Sequence, residues 1–279
     1  MQNKTVTVVG LGLIGGSIAR VLRPFVKKLY AIEQNSDVLD FAQKQGIVDV
    51  APHNPLEESD IVVLCIYPGD SLVFVKENVN NFKKGCILTD TVGVKTPLMN
   101  LCKKLNPPFT YIGGHPMAGR EVSGFINSDK NLFSGASFII TPSDNAKAEQ
   151  ISLIEKFALA LGCKVVIHAT ADEHDKIIAY TSQLPHIIAT AMCDTPLLVK
   201  HKNYTGGSFE DVTRVAKINE NLWTELFLEN KKHLADEIKR FTASLEKIGR
   251  AIEQNDSEAL RQIMRKVRLD KEAIDGGHS

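Results

Sequence analysis

The sequence predicts a doubly wound α/β domain over residues 1–168, followed by an all-α domain over residues 169–279. Three observations support this. Strand-like and helix-like stretches alternate through the first part, and several strands are apolar on both faces. After His168 no convincing strand appears, while long helical periodicity does.

The strand signals fall at 5–9, 28–32, 61–66, 86–89, 109–112, 137–141 and 164–168. The run Ile61-Val-Val-Leu-Cys-Ile66 has no polar face, which suits a sheet covered by helices on both sides. One helix begins near Ser36 and stops at Gly46, a residue type that tolerates the left-handed turn at a helix end. Another covers 146–161 and is closed by Gly162. This βαβα order places a ligand at the C-terminal ends of the strands.

In the second part, Thr170-Ala-Asp-Glu173 is a capping box that opens a helix. Across 221–252, Leu222, Leu226, Leu234, Ile238, Phe241, Leu245, Ile248 and Ile252 recur mostly at gaps of three or four. At about 1.5 Å per residue, one helix bearing that stripe approaches about 50 Å, longer than a small domain is wide. An apolar stripe of that length needs a partner, so a helical dimerisation domain and a homodimer are expected. Asp256 caps a final helix, and Gly276-Gly-His-Ser279 is a frayed tail.

Composition narrows the classes. The 279 residues are 43% hydrophobic and 24% charged, ordinary for soluble domains. Lys plus Arg equals Asp plus Glu at 33 each, so no global basic field attracts nucleic acid. No apolar run is long enough to span a bilayer, and no signal peptide is read before the first strand. The cysteines at 65, 86, 102, 163 and 193 lack CxxC or Cys/His ligand spacing. They read as thiols of a reducing cytoplasm, with no metal site.

The chemistry begins at the first turn. The strand 5–9 runs into Gly10-Leu-Gly12-Leu-Ile-Gly15, and a helix-like stretch follows. Gly10 lets the strand turn sharply, Gly12 leaves room for a pyrophosphate, and Gly15 lets helix and strand pack closely. The helix start, with Leu13 and Ile14, presents free N–H groups to phosphate. Glu33 ends the second strand, where a carboxylate accepts hydrogen bonds from ribose hydroxyls and repels a 2′-phosphate. A Rossmann-type domain binding NAD rather than NADP is therefore expected. The plainer alternative is a Gly-rich turn that only joins strand to helix.

Three further segments carry unusual residues: Thr89-Asp90-Thr-Val-Gly-Val-Lys95, Gly113-Gly-His115-Pro-Met-Ala-Gly119, and a split pair formed by 182–186 and 206–216. His115 falls in a Gly/Pro-rich loop at a strand's C-terminal end, where an imidazole can accept a proton from a substrate hydroxyl. The alternative is a histidine that satisfies backbone groups in the turn. Arg214 is a bidentate carboxylate binder or else a surface salt bridge, with Asp211 as a nearby partner. His186 sits in an apolar run and is either a core residue or a ligand group. Trp223 is packing or pocket wall, and His168 and His174 read as structural.

Together these segments resemble the prephenate/arogenate dehydrogenase family of tyrosine biosynthesis. The resemblance rests on GLGLIGGS at 10–17, TD-x3-VK at 89–95, GGHPMAG at 113–119, S-x-LPH at 182–186 and GGSF-x-DVTRVA at 206–216. It implies an NAD(P)-dependent oxidative decarboxylation: hydride leaves C4 of a cyclohexadienol ring, the C4 hydroxyl becomes a carbonyl, and loss of the ring carboxylate as CO2 aromatises the product. It also implies that His115 polarises the C4 hydroxyl and Arg214 binds a substrate carboxylate. Ser182, His186, Gly207 and Trp223 then line the substrate side. His186 resembles the histidine of prephenate-using members, so prephenate is expected, with arogenate as the alternative. Many relatives have Ser where this chain has Gly93; Thr91 or a water is the available substitute, and the group that orients His115 is unassigned.

Overall fold

A computed structural model describes residues 1–200 and 204–276. β1 (Thr5–Val9) leads into α1 (Leu13–Leu22), and β2 (Lys28–Ile32) into α2 (Ser36–Lys44). β3 (Ile61–Leu64) with α3 (Pro68–Asn78), and β4 (Ile87–Asp90) with α4 (Thr96–Leu105), repeat the unit. Then come β5 (Thr110–Pro116), β6 (Ser137–Pro142), α5 (Ala148–Ala160) and β7 (Val165–His168). The seven strands form one sheet in the order β2-β1-β3-β4-β5-β6-β7. β2 lies on one side of β1 and β3 on the other, so the winding reverses between β1 and β3. A crevice opens at such a switch point, beyond the strand ends.

Alternation along β3 shows why its sequence lacks a polar face. Ile61 and Val63 join the cluster of Val6, Val8, Ile18, Leu22 and Phe157, while Val62 and Leu64 join that of Leu88, Leu98, Phe82 and Phe109. Successive side chains point to opposite faces, and both faces are covered.

The sheet departs from a wholly parallel pattern at one place. β5 pairs with β4 in parallel only through Thr110 and Tyr111, then runs antiparallel to β6 from Ile112 to Pro116. That second partner extends β5 well past the end expected at 112. His115 is therefore in the strand itself, opposite Ile139, rather than in a loop after it.

The helical part opens with α6 (Ala171–Ile178), whose capping box joins Thr170 and Glu173 as expected. A π-helical stretch, Ala179–Gln183, leads into α7 (Leu184–Cys193). α8 (Gly207–Thr213), a 3₁₀ turn at Arg214–Ala216, α9 (Glu220–Glu229), α10 (Lys231–Glu253) and α11 (Ser257–Gly276) complete the order. The single long helix expected over 221–252 is thus two helices. The break falls at Asn230, whose side-chain amide donates to the Asp175 carbonyl and to Gln183 Oε1, both at 2.8 Å. Those bonds draw its backbone to φ −104° and ψ 21°, away from helical values. Of the tail expected at 276–279, Gly276 ends α11 and the last three residues lie outside the described ones.

The chain divides into compact units Met1–Lys231 and Lys232–Ser279. Within the first, α9 is tied to the C-terminal edge of the sheet. Glu225 accepts from the Gly69 N–H at 2.9 Å, and Asn219 donates to the Tyr67 hydroxyl at 3.0 Å. In the second unit α10 and α11 expose Phe241, Leu245, Ile252, Met264, Val267 and Ile274. Pairs four residues apart, Lys266 with Asp270 and Arg268 with Glu272, run along α11. Among the described residues no helix is long and apolar enough to cross a membrane. All five cysteines are free thiols, and Cys86, Cys102 and Cys163 are buried. Burial pushes Cys86 and Cys102 up to about 12 and Cys163 to about 11.

Candidate active site

The first turn has the shape that a dinucleotide requires. Gly10 sits at φ +87°, and a Cβ there would lie 2.5 Å from Ile66 Cγ2. A Cβ on Gly15 would lie 1.9 Å from the Gly10 carbonyl oxygen, so only glycine lets α1 approach β1 this closely. A Cβ on Gly12 would meet nothing within 4 Å, and Gly12 gives α1 no side-chain cap. The amides of the first turn, where Leu13 and Ile14 lie, thus have no capping side chain. Glu33 is held by both oxygens, accepting from the Leu11 N–H at 2.7 Å and the Asn35 N–H at 2.9 Å. These residues fit a dinucleotide with its diphosphate at the helix start and its ribose at Glu33.

Beneath β5 lies a buried polar cluster. Asp90 and Lys95 are fully buried and ion-paired. Lys95 Nζ also donates to the Gly114 carbonyl at 2.6 Å. Asp90 accepts from the Gly114 N–H at 3.1 Å and from the Tyr111 hydroxyl at 3.0 Å. The TD-x3-VK segment therefore holds Gly114 by both its backbone groups, which fixes the residue before His115. A Cβ on Gly114 would lie 2.7 Å from the Asp90 carbonyl oxygen and 2.8 Å from Phe138 Cζ. A buried ion pair contributes little net stability, but losing one partner is costly.

His115 is half-buried at the far end of β5. In the β4–β5 register Asp90 falls level with Gly113, so His115 lies past the end of β4, on the ligand edge. Its Nδ1 is 2.8 Å from Nε2 of His174 on α6. His174 Nδ1 is in turn 2.8 Å from Asp175 Oδ1. Asp175 also accepts from the backbone N–H of Lys95 at 2.7 Å and of Thr96 at 2.9 Å. Burial, then the neighbouring His174 and Lys95, hold the His115 imidazole well below its usual value. It is therefore uncharged at neutral pH and has a proton-accepting nitrogen.

A second group forms around α7. His186 stacks on Trp223 with ring centroids 3.7 Å apart, and its Nδ1 donates to the Ser182 carbonyl at 2.8 Å. Burial lowers its pKa, the Ser182 carbonyl and Glu121 oppose that, and Arg214 lowers it further. Arg214 opens the 3₁₀ turn that packs on α7 and is paired with Glu121, not with Asp211. Its side chain is 65% exposed, so the pair with Glu121 lies at the surface. Gly207 is the first residue of α8. Depressions of about 460 Å³ at Lys4, Asp60 and Gly85 and about 520 Å³ at Arg20, Arg23 and Ser128 involve none of these side chains.

Both halves of the chain match known protein families. The model of the prephenate dehydrogenase nucleotide-binding domain matches residues 18–167. The model of the prephenate dehydrogenase dimerization domain matches residues 170–266. The chain belongs to the prephenate dehydrogenase family. The crystal structure of prephenate dehydrogenase from A. aeolicus in complex with hydroxyphenyl propionate and NAD+ is 30% identical, with a TM-score of 0.86 over 98% of this chain and 99% of that one. The Synechocystis arogenate dehydrogenase structure is 25% identical, with a TM-score of 0.83 over 97% and 99% of the two chains. Prephenate dehydrogenase of Lactococcus lactis is 29% identical over 98% of this chain and 78% of that protein.

In this prephenate dehydrogenase family member, the residues singled out from sequence fall into the dinucleotide turn, the His115 group and the His186–Trp223–Arg214 group. His174 reads as structural from sequence, and Asp175 and Glu121 are not singled out there. A His-Asp dipeptide directly after a capping box was the available signal for the first two. Nothing local in the sequence ties Glu121 to Arg214, ninety-three residues away.

Proposed function

We propose that this chain catalyses the NAD-dependent oxidative decarboxylation of prephenate to 4-hydroxyphenylpyruvate and CO2, in the cytoplasm, as a homodimer. One observation carries this reading: an uncharged imidazole, His115, stands on the ligand edge of the sheet in a chain of this family. NAD bound between Gly10, Gly12, Leu13, Ile14, Gly15 and Glu33 supplies the acceptor for the hydride that leaves C4. His115 accepts the proton of the C4 hydroxyl as that oxygen becomes a carbonyl. Arg214 presents its guanidinium to a substrate carboxylate. Ser182, His186, Gly207 and Trp223 line the rest of the pocket, with the stacked His186–Trp223 pair as an apolar wall. Positioning supplies much of the acceleration, because losing CO2 makes the ring aromatic.

Prephenate is favoured over arogenate by the state of Glu121. The ammonium of arogenate seeks an acidic partner, and Glu121, the carboxylate that acts on His186, already pairs with Arg214. Dimerisation is supported by the family model of the second part and by the exposed apolar residues of α10 and α11. NADH absorbance, followed with prephenate and arogenate side by side, tests the reaction. Faster turnover of prephenate is expected, faster turnover of arogenate would reverse the substrate assignment, and oxidation of neither would remove it.

A further inference from the structure

Gly93 leaves no hydroxyl on its side of the site. A Cβ there would lie 3.1 Å from Leu226 Cδ2, so a side chain at this position would press on Leu226. The orienting contact to His115 comes instead from α6. We propose that His174 and Asp175 are positioning residues that fix the tautomer and ring orientation of His115, so that the proton sits on Nδ1 and the lone pair on Nε2. The inference rests on the reading of His115 as the group that meets the C4 hydroxyl.

Each link in the chain of bonds has one allowed direction. Asp175 accepts backbone N–H groups on both oxygens, from Lys95 on Oδ1 and Thr96 on Oδ2. It is ionised, with a pKa drawn down by hydrogen bonds from His174, Thr96 and Lys95 against the opposing effect of burial. A carboxylate has no proton to give, so His174 Nδ1 donates to it. His174 is buried, and its pKa is lowered by desolvation, with Asp175 and Asp90 opposing and Lys95 assisting. It is a neutral ring at neutral pH, so its Nε2 bears a lone pair and can only accept. His115 Nδ1 must then be the donor across the 2.8 Å contact. The charged groups facing this pair are Asp175, Lys95 and Asp90, and Lys95 is neutralised by its own bond to Asp90. A neutral His115 with its proton on Nδ1 has an acceptor at Nε2. In the opposite tautomer Nε2 is occupied and unable to take a proton.

The anchor is firm at its far end. The Asp175 carbonyl accepts from Asn230, and Asn230 also holds Gln183, whose amide donates to the Leu226 carbonyl at 3.0 Å. Asp175, Gln183 and Asn230 are each no more than 3% exposed. The device that sets the proton on His115 therefore lies in the same buried knot that ends α9.

The test uses the full-length protein labelled with ¹⁵N at histidine, with the His115 resonance assigned by its loss in His115→Asn. Long-range proton–nitrogen correlation spectra report which ring nitrogen carries the proton. Protonation at Nδ1 supports the proposal, and protonation at Nε2 overturns it without any variant. His174→Phe keeps a ring but removes the acceptor. It is expected to mix the His115 tautomers and lower kcat by about 10- to 100-fold, with KM changed less than about threefold. His174→Gln restores an acceptor and should recover most of that loss. Unchanged tautomer and kcat in His174→Phe would overturn the proposal. If the wild-type protein oxidises neither prephenate nor arogenate, the proposed reaction falls, and the tautomer of His115 still decides this inference separately.

Discussion

At the scale of single residues, the role proposed for His115 predicts the pH response. A base must be uncharged to work, and burial with His174 and Lys95 keeps this one uncharged to below its ordinary 6.5. As pH falls, kcat/KM should stay level through neutrality and drop only below that value. His115→Asn should lower kcat by about two or more orders of magnitude and abolish this acid limb, which a pH–rate profile would show. The ribose contact proposed for Glu33 makes a separate prediction about cofactor choice. Glu33→Ala should cost about 10- to 100-fold in kcat/KM for NAD and narrow its advantage over NADP, measured with both cofactors. Both residues could be named from sequence, because each has a chemistry tied to a position relative to a strand. His174 read as structural because nothing in its neighbours shows that α6 brings it against β5. Its role depends on a contact between residues fifty-nine positions apart.

At the scale of elements, glycine packing is the test. Gly114→Ala would push a methyl group against the Asp90 carbonyl and the Phe138 ring, and backbone cannot move aside as a flexible side chain can. A loss of at least about 1–3 kcal/mol is expected in urea unfolding, with activity falling further because His115 shifts along with its strand. The strands and α2, α5 and α6 were readable because apolar runs, capping residues and closing glycines are local signals. Two features were not. The reversal of β6 against β5 is chosen by pairing between strands, to which periodicity within a strand is blind. The break at Asn230 breaks no apolar spacing, since Leu226 and Leu234 keep the helical interval. It is made by Asp175 and Gln183, which sequence places far away.

At the scale of the whole molecule, the proposed homodimer is tested at the apolar residues that α10 and α11 leave exposed. Leu245 is 57% exposed in the middle of α10. Leu245→Lys should shift the protein toward monomer in analytical ultracentrifugation, and an unchanged mass would move the interface elsewhere. The thiols offer a different kind of readout. Cys86, Cys102 and Cys163 are shut inside the first unit as protonated, unreactive groups, whereas Cys193 at the end of α7 is partly exposed. An alkylating reagent should therefore modify Cys193 quickly and those three buried thiols only as fast as the sheet opens. Mass spectrometry over time would then use these sulfurs as a stopwatch for breathing of the interior, with bound ligand expected to slow the clock.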